Sequence, residues 1–128
     1  MSHDQQRLHD YLAHIIQATQ RIQDYTEDID EVGFLTNELV QDAVIRNIEI
    51  IGEASNNIDK YHQDFAKLHP ELPLVFAYEM RNAVAHGYFK VDLEIVWKTI
   101  KNDLPELEQQ TKDVLKQLVD QSSSQFKP

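Results

Sequence analysis

The side chains of this chain best suited to chemistry fall in one short run, Arg81-Asn82-Ala83-Val84-Ala85-His86-Gly87-Tyr88. It reads R-x4-H-x-Y at the end of a predicted helix. Arginine keeps its charge under ordinary conditions, histidine exchanges a proton near neutrality, and a phenol follows two residues on. A permanent cation beside a proton carrier suits work on a phosphodiester, where one group holds the anion and the other moves a proton. A structural reading competes with this one. Arg81 could pair with Glu79 or with a carboxylate of a neighbouring helix, His86 could complement the negative helix end, and Tyr88 could pack against that end. In an ideal helix the spacing of Arg81 and His86 separates them by about 140° around the axis. Both reach one phosphate only if the last turn tightens or unwinds, or if the arginine side chain curls.

The elements that must position these residues are helices. The chain has only three glycines and four prolines, and no segment alternates as a strand would. A first helix is expected from about His3 to Thr26, started by Ser2 with Gln5 and striped by Leu8, Tyr11, Leu12, Ile15, Ile16, Thr19 and Ile22. A loop over Glu27 to Leu35 contains Gly33, and Thr36 is a plausible N-cap for a second helix from about Asn37 to Asp59. That helix is apolar on more than one side: Val40, Val44, Ile48, Ile51 and Ile58 lie near one line, Ile45 and Ile50 elsewhere. Such a helix is central in a bundle or part of a subunit interface. Its polar residues Arg46, Glu49, Glu53 and Asn57 form either a solvated ladder or the wall of a cleft. After a loop from Tyr61 to Pro73, a third helix spans about Leu74 to His86, with Gly87 as its terminating glycine. Asp92 caps a helix from Leu93 to about Lys101, and Asp103 with Pro105 breaks or kinks the chain near Asn102 before a last helix through Leu118. The expected fold is all-α: an up-and-down bundle of four main helices with a kinked or broken last helix. Residues 1–120 form the helical domain, and 121–128 a polar, Ser-rich, disordered tail.

At 128 residues the chain is long enough for one domain with a real core, and 41% of it is hydrophobic. No apolar run approaches the length of a membrane span, and the N-terminus lacks the design of a signal peptide. The absence of cysteine excludes disulfides and thiolate metal sites and fits a cytoplasmic location. His9 and His14 are five apart rather than at the i, i+4 spacing of a helical metal pair, so no metal and no other cofactor is expected. The net charge of −10 excludes nucleic-acid binding through a broad basic surface. Any RNA or DNA contact must rest on a local cluster, which two subunits could share. Trp97 and Phe89 read as core or interface anchors rather than base-stacking platforms.

Two blocks, Arg46-Asn-Ile-Glu-Ile-Ile-Gly-Glu-Ala-Ser55 and Tyr78-Glu-Met-Arg-Asn-Ala-Val-Ala-His-Gly-Tyr-Phe89 with Val91-Asp-Leu-Glu-Ile-Val-Trp97, together resemble the HEPN superfamily, and within it the HepT-like branch with its R-x4-H-x-Y motif. The resemblance implies a homodimer whose paired motifs cleave RNA without a metal, as the toxin of a type VII-like toxin–antitoxin pair. It implies Arg81 and His86 as catalytic residues, Asn82 as a candidate for substrate positioning, and Tyr88 as the acceptor of AMP. The AMP would be transferred from ATP by a nucleotidyltransferase antitoxin. Glu53 is the second-helix residue expected to face the cleft by pairing with Arg81, with a plain surface carboxylate as the alternative. Two rival functions stand beside the ribonuclease: a non-catalytic substrate-binding subunit of a two-component nucleotidyltransferase, which the negative charge favours, and a helical oligomerisation module.

Overall fold

The computed structural model describes the backbone of residues 3–86 and 92–125, and the side chains within those ranges except at 76, 83–86 and 122–125. The caps expected from Ser2 and Gly87, and the residues Tyr88 and Phe89, lie outside it. The described residues form helices α1 (His3–Thr26), α2 (Glu31–Leu35), α3 (Glu38–Tyr61), α4 (Gln63–Leu68), α5 (Leu74–His86), α6 (Leu93–Asn102) and α7 (Leu104–Gln125), with no strand among them. The fold is the expected all-α bundle, its long helices being α1, α3, α5 and the broken pair α6–α7.

Hydrophobic periodicity builds this arrangement. Leu8, Leu12, Ile15 and Ile22 bury one stripe of α1. Val44, Ile48, Ile51 and Ile58 bury the matching stripe of α3, each fully enclosed. Full burial of one such side chain is worth roughly 1.5–3 kcal/mol, so this seam dominates cohesion. Helix α3 packs against both α1 and α5, while α7 packs on α1 and α6 ties α2 to α7. The broad apolar surface of α3 therefore marks its central place in the bundle.

Two short helices occupy stretches expected to be loops. In α2, the Asp30 carboxylate accepts a hydrogen bond from the Gly33 amide at 2.8 Å, and Phe34 is fully buried with its ring 5.5 Å from that of Trp97. Phe65 anchors α4 in the same way. The cap of α3 is Asn37, whose side chain accepts from the Val40 amide at 3.1 Å. Thr36, expected in that role, instead donates its hydroxyl to Val32 O at 2.9 Å and closes α2. Asp92 caps α6 as expected, accepting from the Glu94 and Ile95 amides at 3.1 and 3.2 Å. The break falls at Asp103, and Pro105 sits in the first turn of α7, where a missing N–H is tolerated. Helix α7 runs on to Gln125, into the stretch 121–128 expected as a disordered tail. No helix among the described residues is long and apolar enough to cross a membrane.

Candidate active site

The position of Arg81 is set by a glycine on the facing helix. Ala77, fully buried, and Arg81 are one turn apart on the face of α5 that meets α3. Opposite them is Gly52. A Cβ added there would overlap the Arg81 Cβ, lie 2.6 Å from the Arg81 Cγ and come within 3.1 Å of the Ala77 carbonyl oxygen. The two helices approach closely because Gly52 has no side chain, and the stem of Arg81 passes through the space this leaves. Gly52 stands inside the second-helix block, but its role is legible only as the general rule that a lone glycine in a helical pattern has a packing reason.

The end of the arginine is oriented by its neighbour. Arg81 Nη1 donates to Asn82 Oδ1 at 3.0 Å, and both residues are half-buried. Among the described residues no carboxylate stands within ion-pair distance of Arg81, so its charge is matched there only by a neutral amide. A half-buried guanidinium held this way keeps donors for an incoming oxyanion.

Glu53 follows Gly52 on α3 and is therefore turned about 100° from the face that meets Arg81. It is exposed, and no ion pair joins it to Arg81. The nearby polar pair is Arg46 with Glu49, at 3.6 Å on the surface of α3. Glu79, the other carboxylate considered for Arg81, is also exposed.

His86 is the last residue of α5, with helical backbone; its side chain lies outside the described set, as does all of Tyr88. Because α5 stays helical from Arg81 to His86, their Cα atoms are about 140° apart around its axis. The structure thus joins Arg81 to Asn82 and to the Gly52 gap, and brings the backbone of His86 to the same helix end. Trp97, His62 and His69 have local partners. Trp97 is half-buried between Phe34 and the Lys101 ammonium, 4.6 Å from its ring centre. His62 packs edge-on against Tyr11, and His69 Nδ1 lies 2.9 Å from Glu71 Oε1. Among the described residues no group of three His, Asp or Glu converges as a metal site would require.

The family model described as ribonuclease HepT-like matches residues 15–114. Over 98 residues the chain is 46% identical to a Thermococcus cleftensis protein named "Probable ribonuclease HepT", an overlap of 77% of this chain and 86% of that one. A solved structure of a tri-AMPylated Shewanella oneidensis HEPN toxin in complex with MNT antitoxin matches with a TM-score of 0.64 at 23% identity, covering 89% of this chain and 98% of the toxin. That last likeness is one of fold.

Proposed function

The chain belongs to the HepT-like family, and from that premise we propose that it is a metal-independent endoribonuclease toxin, silenced when a nucleotidyltransferase antitoxin transfers AMP to Tyr88. The observation that carries the reading is Arg81: a half-buried guanidinium, seated over Gly52 and oriented by Asn82, with no carboxylate to neutralise it among the described residues. A cation left open in a chain of net charge −10 is suited to an anionic substrate.

In this HEPN-type ribonuclease the RNA supplies its own nucleophile. The 2′-oxygen attacks the adjacent phosphorus, the bond from phosphorus to the 5′-oxygen breaks, and a 2′,3′-cyclic phosphate and a 5′-hydroxyl result. His86 is the group to take the proton from the 2′-hydroxyl or to give one to the leaving oxygen. In a homodimer, two copies supply one base and one acid. Arg81 donates to the non-bridging oxygens and is worth most at the transition state, where their charge grows. Asn82 holds that guanidinium in place, and its amide is also within reach of substrate. Neither metal nor other cofactor is required in this scheme. Glu53, exposed beside Gly52, has a place only at the mouth of the shared cleft. The reading places the protein in the cytoplasm with its RNA.

Silencing follows from the same chemistry. The Tyr88 phenol oxygen attacks the α-phosphorus of ATP and pyrophosphate leaves. The tyrosine then carries a phosphodiester two residues from His86, where it competes for the seat of the scissile phosphate.

The test is cleavage of total RNA in EDTA by protein shown by intact mass to be unmodified, beside His86→Ala. Cleavage by the first and its loss in the second, with cyclic-phosphate ends, is the expected result. Products carrying 5′-phosphate and 3′-hydroxyl would refute the mechanism. No cleavage by either folded protein would favour the substrate-binding subunit.

A further inference from the structure

The flank of α5 beside Arg81 carries an aromatic ring that the proposed chemistry leaves unused. Tyr78, Asn82 and His86 follow one another along α5 at steps of four, each turned only about 40° from the last. Ala77 and Arg81 face Gly52 of α3, and Met80 lines a cleft with Leu104 and Leu107 of α7. Tyr78 is about 200° around the axis from Met80. It therefore lies on the opposite flank, with Asn82 and the backbone of His86.

This flank is open. Helix α5 packs chiefly on α3, and Val75 and Glu79, on the same side as Tyr78, are both exposed. Tyr78 itself is half-buried. Among the described residues it enters no hydrogen bond, ring contact or cation–π contact. A ring that served only for packing would be covered by a neighbouring helix, and among the described residues none lies over this flank.

We propose that Tyr78 is a stacking platform for a nucleobase next to the scissile phosphate of single-stranded RNA. The proposal rests on the ribonuclease reading and adds a binding residue to it. Tyr78 stands less than one turn behind Arg81 and about one turn behind Asn82. A nucleotide that leaves the Arg81 seat and runs back along α5 meets its ring. Charge argues for such a device. In a chain of net charge −10, the few cations at the motif give limited hold on a polyanion. Base–aromatic stacking contributes about 1–3 kcal/mol per base, needs no cation and accepts any base. A neutral base is also not repelled by the exposed Glu79 carboxylate, as a phosphate would be.

The probe is the trinucleotide uridine–2-aminopurine–uridine, in which both phosphodiesters flank the fluorescent base. It is titrated into the full chain carrying His86→Ala, which does not cleave it in the proposed scheme. Emission anisotropy reports binding, and loss of emission intensity reports stacking. Saturable binding with quenching is expected. Adding Tyr78→Phe keeps the ring and should keep both signals. Adding Tyr78→Leu should abolish the quenching and weaken binding about tenfold, by the same factor at low and high salt because no charge is removed. Should that protein fail to fold, Tyr78→Trp decides. Its larger plane should quench at least as strongly and bind more tightly, and unimproved binding would overturn the proposal. Binding without quenching, or equal quenching in the Tyr78→Leu protein, would overturn the platform and leave the ribonuclease reading standing. Absence of binding would overturn the platform too, and His86-dependent cleavage of total RNA then shows whether the reading falls with it.

Discussion

At the scale of single residues, the seat of Arg81, the arginine proposed to meet substrate, depends on a residue with no side chain. Replacing Gly52 with alanine would normally strengthen a helix by at most ~1 kcal/mol. Here the new methyl meets the Cβ and Cγ of Arg81 and the carbonyl of Ala77, which are backbone and the stiff base of a side chain. Overpacking of this kind costs about 1–3 kcal/mol, so strain wins. Gly52→Ala should lower the urea midpoint without changing the slope, and should reduce RNA cleavage by displacing the guanidinium. An unchanged midpoint would mean that α3 and α5 separate easily and that the glycine does not set the position of Arg81. Tyr88 gives a prediction of the opposite kind. Tyr88→Phe keeps the ring and removes only the oxygen that would accept AMP. It should cleave RNA about as well as the unmodified wild type and take no label from α-labelled ATP with the nucleotidyltransferase. Retained labelling would place the modification elsewhere.

At the scale of elements, capping chemistry fixes where α6 begins after the segment 87–91. Asp92 is the first described residue after it, and its carboxylate satisfies two amides of α6. Loss of such a cap costs about 1 kcal/mol. Asp92→Ala should therefore lower the thermal midpoint by a few degrees. An unchanged midpoint would show that burial of Val96 and Ile100 alone holds the start of α6. The same physics explains what could be read from the chain in advance. The C-terminal end of α1 and the start of α5 were legible, because α1 carries a long apolar stripe and α5 opens directly after Pro73. So was the Asp92 cap, because aspartate before an apolar run is a strong local signal. Helices α2 and α4 were not, since five and six residues are too few for periodicity to register. Each exists because one phenylalanine, Phe34 or Phe65, finds the core. The choice of Asn37 over Thr36 was also hidden, because both are good caps and Thr36 was already used to close α2. At the site, residue types and spacing pointed to Arg81, His86 and Tyr88. The seat of the arginine depends on a contact between α3 and α5 that no local pattern encodes.

At the scale of the whole molecule, charge decides how RNA can be held. With 22 acidic residues against 12 lysines and arginines, most of the surface repels a polyanion. In the proposed dimer, attraction would be confined to the few cations at the motif, one Arg81 from each subunit and any charge on His86. For single strands, the logarithm of affinity falls with the logarithm of salt by roughly 0.7 for each phosphate neutralised. Two or three contacts thus give a slope of about −1.4 to −2.1. Added salt also screens the repulsion from the acidic surface, which makes the observed slope shallower still. A nuclease with a broad basic groove would instead lose orders of magnitude of affinity over the same range. Titrating a fluorescent single-stranded RNA with His86→Ala, which cannot turn it over in this scheme, across about 50–200 mM salt distinguishes the two. A slope no steeper than about −2 is expected. A slope near −5 or beyond would require a basic surface that this sequence does not supply, and would mean that another chain had been purified with it.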